Sequence, residues 1–211
     1  MTSRLLNTTL CAVAAFGVVS QFVLNGTGPA DPAEIDPGVV TSVIRFFTFF
    51  TILSNLMVAV SSLPAALNVR LSYPLQVLRL NAVVAIVITG VVHWFLLRPG
   101  SDLSGIIGLV DAVTHVIVPI LTVVVWLVAG PRGLTGRLVV AGSFAFPVLY
   151  AGWMFLHGAL TGWYPYHFID VPLIGYGPAL TMAAVIFVAF AVLSVLAWGI
   201  DVALLRLRRH A

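Results

Sequence analysis

The sequence predicts an all-α membrane protein, a polytopic bundle of six transmembrane helices, and three observations indicate this fold class. First, 61% of its 211 residues are hydrophobic and 8% are charged, whereas soluble domains carry about a quarter charged residues. Second, the apolar residues fall into six runs, each near the ~20 residues that a helix needs to cross a bilayer. Third, the charged residues alternate in sign between successive connecting segments. We therefore expect a single integral membrane domain over residues 1–211.

The six apolar runs predict the helices in chain order. They cover residues 5–24, 39–63, 77–97, 104–128, 138–160 and 179–205. Residues 25–38 and 161–177 are the longer loops, the first acidic and the second aromatic. The first run follows a short start that resembles a signal peptide, but no small-x-small cleavage site follows it, so we expect a retained helix. Pro119 and Pro147 predict kinks in the fourth and fifth helices, because proline cannot donate the helical hydrogen bond.

Arginine placement predicts the sidedness of the bundle. Eight of the ten basic residues, all of them arginine, fall at the termini and in the second and fourth loops. They are Arg4, Arg70, Arg79, Arg132, Arg137, Arg206, Arg208 and Arg209. Five of the seven acids fall in the first, third and fifth loops, with Arg98 beside them. These acids are Asp31, Glu34, Asp36, Asp102 and Asp170. Because positively charged loops stay in the cytoplasm, we expect a cell-membrane protein with both termini cytoplasmic.

The fourth helix carries the most unusual polar residues. Asp111 and His115 lie four residues apart, so a helix places them on one face, one turn apart. A carboxylate within hydrocarbon costs several kcal/mol, so such groups usually face a bundle interior and act on something. The alternative is a buried Asp–His pair that only fixes helix packing. The single cysteine, Cys11, excludes a disulfide and a cysteine metal site.

The second helix presents a polar arc at the same depth. Its members are Thr41, Arg45, Thr48, Thr51, Asn55 and Ser62. At about 1.5 Å per residue, Arg45 reaches the level of Asp111, where the two could form a structural ion pair. Thr48 and Thr51 reach the level of His115. The alternative is that each hydroxyl bonds to a carbonyl of its own helix and that Arg45 extends outward to the interface.

Three further histidines lie near the expected outer side. His93 and His157 fall within about two turns of the ends of the third and fifth helices, and His167 lies in the fifth loop. Facing histidines on two helices can ligate haem. An interfacial aromatic belt accounts for the surrounding rings without a cofactor. These rings are Trp94, Trp153, Trp163, Tyr164 and Tyr166. We therefore expect no cofactor and no metal.

Three motifs occur in order along the chain and carry a resemblance. They are Phe47-Thr-Phe-Phe-Thr-Ile-Leu-Ser-Asn55, His115-Val-Ile-Val-Pro119 and Gly162-Trp-Tyr-Pro-Tyr166. Together they resemble the bacterial Pr6Pr membrane-protein family, a distant branch of the eukaryotic androgen-induced membrane proteins, which include the androgen-dependent regulator of tissue factor pathway inhibitor. The resemblance covers nearly the whole chain, although the Trp-Tyr-Pro loop is shorter than its eukaryotic counterpart.

The resemblance implies a threonine hydrolase. The eukaryotic members cleave fatty acid esters of hydroxy fatty acids with an intramembrane threonine and histidine. The histidine corresponds to His115, and the threonine to Thr51 or, by a gap-free match, to Thr48. A neutral imidazole is the usual base for a hydroxyl nucleophile. Asp111 would orient the ring and stabilise the imidazolium, and Asn55, one turn beyond Thr51, would donate to an oxyanion.

Two other function classes stay open at this point. One is a small transporter or proton-coupled carrier that uses Asp111, His115 and Arg45 as a polar pathway, although the sequence shows no inverted repeat. The other is a non-enzymatic scaffold that binds lipid or partner helices. We expect membrane lipids as partners, an acyl ester from the bilayer as substrate, and no nucleic acid. A Thr hydroxyl within about 3.5 Å of a His115 nitrogen would favour the enzyme.

Overall fold

The computed structural model describes residues 2–27, 38–99 and 104–210, and these ranges contain helices, turns and loops without a strand. The α-helices are α1 (Thr2–Thr27), α2 (Val39–Thr48), α3 (Phe50–Ala66), α4 (Tyr73–Val92), α5 (Gly105–Ala112), α6 (Val118–Ala129), α7 (Arg137–Ser143), α8 (Ala145–Thr161), α9 (Val171–Ile174) and α10 (Tyr176–His210). Two π-helical turns, π1 (His93–Leu97) and π2 (Val113–Ile117), extend α4 and join α5 to α6, and a 3-10 turn covers His167–Ile169.

The predicted all-α class and multi-pass character are confirmed for the described residues. Five helical units are long and apolar enough to cross a membrane, and α2 with α3 makes a sixth if that bent pair is one span. The five units are Thr2–Asn25, Tyr73–Leu97, Gly105–Ala129, Arg137–Thr161 and Tyr176–Arg208. Many of their outward side chains are large and apolar, as a lipid-facing surface requires.

The second predicted helix is not continuous, which corrects the prediction for residues 39–63. The chain leaves helical geometry at Phe49, whose φ and ψ are −70° and 125°, and α2 and α3 meet at an angle of 72°. The ring of Phe49 packs edge-on against Trp163 and Tyr166, with centroid distances of 5.7 and 5.8 Å. The break contains neither glycine nor proline, so contacts with the aromatic loop stabilise it rather than any local sequence signal.

The fourth predicted helix changes its hydrogen-bonding pattern just before Pro119. The N–H of Val118 donates to the carbonyl of Val113, five residues back, which is the π-helical pattern. Pro119 then lies in the first turn of α6, where no helical N–H is needed. The extra residue in π2 therefore accommodates the proline and rotates His115 relative to a regular helix.

In the fifth predicted helix the irregularity lies at Phe144, between α7 and α8, three residues before Pro147. A proline at position 147 has no N–H to donate to the carbonyl of Ser143, so the helix is interrupted one turn before the proline. The structure keeps Arg137–Thr161 as one membrane-crossing unit despite this interruption.

Helix α4 is the central element of the bundle and contacts α3, α6, α7 and α10. Its residues Ala85 and Ile86 are fully buried. Gly90 lies against π2 and α6, because a Cβ at that position would stand 3.2 Å from the His115 carbonyl oxygen and 3.3 Å from Pro119 Cβ. Small residues let membrane helices approach closely where hydrophobic driving force is weak. This close approach positions the end of α4, including His93, beside His115.

A second polar cluster, not recognised in the sequence, ties the opposite end of the bundle together. Asp201 on α10 accepts a hydrogen bond of 3.0 Å from the Thr135 N–H and lies 3.9 Å from Arg132. Arg132 donates to the carbonyls of Trp126 and Leu127 at the end of α6. The cluster joins α10 to the loop between α6 and α7, far along the chain from Asp111.

Candidate active site

A threonine, a histidine and an aspartate form a continuous hydrogen-bonding line inside the bundle. Thr51 Oγ1 lies 3.1 Å from His115 Nε2, and His115 Nδ1 lies 2.9 Å from Asp111 Oδ1. The three side chains come from α3, π2 and α5. The Thr–His distance is within the range that a nucleophile and its general base require.

The break at Phe49 places Thr51 in the first turn of α3. The first N–H groups of a helix have no partner within the helix and carry the positive end of its dipole. Phe50 N–H donates to the hydroxyl of Tyr166 at 2.8 Å. The positive end of the α3 dipole would therefore stabilise negative charge that develops on Thr51 Oγ1. If the helix continued through residue 49, Thr51 would lie within a helix instead of at its start and would lose this stabilisation.

The surroundings of His115 select one tautomer of its ring. Besides the carboxylate, Nδ1 lies 3.1 Å from the Asp111 carbonyl and 3.1 Å from Thr114 Oγ1. Thr114 donates its own proton to the Val110 carbonyl at 3.1 Å, so its oxygen faces the ring as an acceptor. Three acceptors around Nδ1 stabilise the proton there. This leaves the Nε2 lone pair directed at Thr51, as a general base requires.

His93 belongs to the site. From the sequence we expected it near the outer end of the third helix, either as a haem ligand or beside the aromatic belt. Its ring stacks on that of His115 with a centroid distance of 3.9 Å and an interplanar angle of 15°. Its Nε2 lies 3.1 Å from Asp111 Oδ2, so the carboxylate contacts two imidazoles. The sequence does contain a signal for this contact, because His93 and Asp111 both lie near the expected outer ends of their helices and therefore at a similar depth.

The ligand-type atoms of His93, Asp111 and His115 lie within 4.8 Å of one another. Two imidazoles and a carboxylate are a suitable donor set for zinc or iron. However, the lone pairs of an imidazole lie in the ring plane, and the two stacked rings hold theirs in nearly parallel planes. Such lone pairs do not converge on a single point about 2 Å from each nitrogen. The stacked arrangement therefore favours the hydrogen-bonded cluster over a metal centre.

Arg45 does not form the expected ion pair with Asp111, and Thr48 follows the alternative in which a hydroxyl bonds to a carbonyl of its own helix. Within the described residues Asp111 makes its ionic contacts with the two histidines, whereas the Arg45 guanidinium lies 5.0 Å from the centroid of the Trp163 ring. Thr48 is fully buried, donates to the Ile44 carbonyl at 2.8 Å and accepts from Trp153 Nε1 at 3.1 Å. Of the two candidate threonines, Thr51 is the one that contacts His115.

Asn55 does not direct its amide protons at the reacting centre, as an oxyanion donor would. Its Nδ2 donates to the carbonyls of Thr51 and Thr114, at 2.8 and 3.2 Å. The side chain thereby joins α3 to π2 and holds Thr51 and His115 at a fixed separation. Asn55 therefore supports the site structurally. Its spacing from Thr51 in the sequence is equally compatible with this role and with the expected role of oxyanion donor.

An apolar cavity of about 510 Å³ adjoins Thr51. Its walls come from α3, α4, α8, the aromatic loop and α10, and include Thr51, Ile88, Tyr150, Tyr166, Phe168 and Phe190. Val148 and Leu180 also line it and are more than half exposed, so the cavity reaches the outer surface of the bundle. A lipid chain could therefore reach Thr51 from the bilayer without crossing a polar barrier.

Tyr166 is the other residue of the site that sequence reasoning missed, since it was attributed to the aromatic belt. Its hydroxyl accepts the Phe50 N–H at 2.8 Å, and the hydroxyl groups of Thr51 and Tyr150 lie near it. Burial raises the pKa of Tyr166 above its usual value, which keeps the phenol protonated. The only sequence signal was its position in the Gly162–Tyr166 motif.

The chain matches no family model, and neither a curated protein nor a solved structure is significantly similar to it.

Proposed function

We propose that this protein is an intramembrane hydrolase of lipid-like esters, with Thr51 as the nucleophile, His115 as the general base and Asp111 as the orienting acid. The observation that carries this proposal is the contact of 3.1 Å between Thr51 Oγ1 and His115 Nε2, with Asp111 on the other ring nitrogen. The resemblance to the Pr6Pr family and to the androgen-induced threonine hydrolases supports the same assignment.

The reaction follows from the positions of these three groups. Thr51 Oγ1 attacks the ester carbonyl carbon while its proton passes to His115 Nε2, and the carbonyl π electrons move to the carbonyl oxygen. Asp111 stabilises the resulting imidazolium. Collapse of the tetrahedral intermediate breaks the ester C–O bond, and the leaving alkoxide takes the proton from His115. Water, deprotonated by His115, then attacks the acyl carbon and forms a second tetrahedral intermediate. The bond between that carbon and Thr51 Oγ1 breaks, Oγ1 takes the proton back from His115, and the carboxylic acid leaves.

The cavity favours a long acyl substrate over a small polar one. Its lining side chains are almost all aliphatic or aromatic, and it reaches the outer surface of the bundle beside α8 and α10. A carrier would require a polar pathway across the membrane. The polar atoms of His93, Asp111 and His115 instead contact one another in a compact cluster. We therefore infer that the substrate class is a fatty ester, including fatty acid esters of hydroxy fatty acids.

The proposed membrane arrangement has six spans with both termini in the cytoplasm, the bent pair of α2 and α3 being the second span. Arginine placement supports this orientation, since eight of the ten arginines lie at the termini, in or beside the second and fourth loops or, for Arg79, in the second turn of α4. The Thr51 site is then expected near the bilayer midplane, because the second and fourth predicted helices both begin at the outer side and reach Thr51 and His115 after similar lengths.

Turnover by isosteric variants tests the proposal. The purified full-length protein is offered fatty acid esters of hydroxy fatty acids and simple long-chain acyl esters. Thr51→Val removes the hydroxyl while it keeps the side-chain shape, and it is expected to abolish turnover, as is His115→Ala, because nucleophile and base act as a unit. Thr48→Val is the matched control, since Thr48 makes no contact with His115, and it should retain activity.

Two outcomes would contradict the proposal. Turnover that survives in both Thr51→Val and His115→Ala would exclude this nucleophile and base. A folded wild-type protein that hydrolyses none of the esters would exclude the hydrolase and leave the carrier or scaffold classes.

A further inference from the structure

The Tyr166 hydroxyl occupies a position that the proposed catalytic line of Thr51, His115 and Asp111 does not use. It lies at the start of α3, accepts the Phe50 N–H at 2.8 Å and has the hydroxyl groups of Thr51 and Tyr150 near it. The same residue lines the apolar cavity beside Thr51. It therefore stands next to both the nucleophile and the space in which a substrate carbonyl would have to lie.

The hydrogen bonds around this hydroxyl leave its proton available to a substrate. Its oxygen already accepts from a backbone N–H, so that interaction does not consume the phenolic proton. A hydroxyl that accepts a hydrogen bond is polarised and becomes a stronger donor. The neighbouring Tyr150 donates its own hydroxyl proton to the Thr48 carbonyl at 3.1 Å, and its oxygen lies near the Tyr166 hydroxyl. Because a hydroxyl rotates about its C–O bond, the Tyr166 proton can turn from the Tyr150 oxygen to an oxyanion in the cavity.

The tetrahedral intermediate needs such a donor. When Thr51 Oγ1 bonds to the carbonyl carbon, the carbonyl oxygen becomes an alkoxide on that same carbon, in the cavity that Thr51 and Tyr166 both line. Asn55 cannot serve, because its Nδ2 donates to the carbonyls of Thr51 and Thr114. The other hydroxyl groups among the described cavity residues already have partners, because Thr89 is paired with Ser54 and Tyr150 donates to the Thr48 carbonyl. A negative charge that develops beside an apolar cavity without a donor is costly.

We propose that Tyr166 is a catalytic residue that donates its hydroxyl proton in a hydrogen bond to the oxyanion formed on attack by Thr51. This assignment rests on the proposed hydrolase function. No proton is transferred from the phenol in this step: the Thr51 proton goes to His115 Nε2, and the alkoxide accepts a hydrogen bond from Tyr166 until the carbonyl re-forms. Phe50 N–H holds the phenol oxygen in place throughout.

The kinetic test is Tyr166→Phe in the full-length protein, with Tyr164→Phe as the matched control. Tyr164 lies on the same loop and packs against Phe155, but its ring contributes no wall of the cavity. Loss of one oxyanion donor typically lowers kcat about 10²–10³-fold, and we expect that loss with KM within about twofold. Tyr164→Phe should leave kcat unchanged.

Inhibition separates this catalytic role from a merely structural one. A long-chain alkyl trifluoromethyl ketone would form a tetrahedral alkoxide with Thr51, whereas a fatty alcohol of equal chain length would only fill the cavity. Tyr166→Phe should weaken the ketone by about the same factor as kcat/KM and leave inhibition by the alcohol unchanged. A purely structural role predicts that both inhibitors weaken together.

The outcomes distinguish this proposal from the function on which it rests. If the wild type hydrolyses esters and Thr51→Val does not, but Tyr166→Phe keeps at least a third of wild-type kcat, then Tyr166 is not the oxyanion donor although the hydrolase stands. Equal weakening of both inhibitors overturns the assignment in the same way. If the wild type hydrolyses no ester and neither inhibitor binds, the hydrolase is refuted and the role of Tyr166 with it.

Discussion

Asp111→Asn is expected to reduce turnover far less than the loss of the equivalent acid in serine proteases, and the reason lies in the acceptors around His115. In those enzymes the amide substitution costs about 10⁴-fold, because the ring adopts the wrong tautomer. Here the Nδ1 proton also faces the Asp111 carbonyl and Thr114 Oγ1, each at 3.1 Å. Neither acceptor depends on the Asp111 side chain, so the correct tautomer should persist in the variant.

The remaining cost of Asp111→Asn is electrostatic. A hydrogen bond to a charged group contributes about 1.5–3 kcal/mol, against about 0.5–1.5 kcal/mol for a neutral one. The difference of about 1–1.5 kcal/mol corresponds to roughly a tenfold lower rate, since 1.36 kcal/mol is tenfold. His93 also loses a charged partner at 3.1 Å, which raises the expected loss in kcat to between about 10- and 100-fold.

The assay compares kcat for Asp111→Asn and His115→Ala on one long-chain ester, with circular dichroism to establish that both variants fold. We expect the aspartate variant to retain measurable turnover when the histidine variant has none. A loss of about 10⁴-fold would mean that the carboxylate alone fixes the ring, and unchanged kcat would mean that Asp111 has no part in the reaction.

Three further predictions concern the packing and the membrane arrangement. Gly90→Ala would place a Cβ 3.2 Å from a backbone carbonyl of π2, so α4 must shift and turnover should fall severalfold. Gly199→Ala is the control, because a Cβ there meets nothing within 4 Å, and turnover should be unchanged. Asp201→Ala removes the acceptor of a 3.0 Å backbone hydrogen bond, and thermal unfolding should show a loss of about 1.5–3 kcal/mol with KM unchanged. Topology reporters fused at Asp102 and at Arg132 should give opposite sidedness, and equal sidedness would contradict the six-span arrangement.

The fold class could be predicted from the sequence, and so could the part of the candidate site that consists of Asp111, His115 and Thr51. Composition and apolar length predicted the all-α membrane class, because a bilayer imposes both on any helical protein that spans it. The four-residue spacing of Asp111 and His115 predicted a polar face, since helical geometry alone places them together. Thr51 and His115 were predicted to lie at the same depth, because each follows the expected outer start of its helix by a similar number of residues.

The rest of the site depends on tertiary contacts that leave no local signal. The break at Phe49, which frees the start of α3, lies in a run of phenylalanines that favours neither a turn nor a bend. It forms where the aromatic loop supplies partners from more than a hundred residues away. The position of His93 likewise depends on the close approach of α4 at Gly90. Spacing along one helix cannot reveal either contact.

The proposal that His115 activates Thr51 as the nucleophile is tested most directly by identifying the residue with which an activity probe reacts. A fluorophosphonate probe bonds to an activated hydroxyl oxygen, and peptide mass spectrometry then locates the adduct. The proposed mechanism predicts an adduct on Thr51, absent in His115→Ala and retained in Thr48→Val, because Thr51 Oγ1 contacts His115 Nε2 whereas Thr48 Oγ1 is bonded to Ile44 and Trp153. An adduct on Thr48 or on another residue, or equal labelling of wild type and His115→Ala, would contradict it.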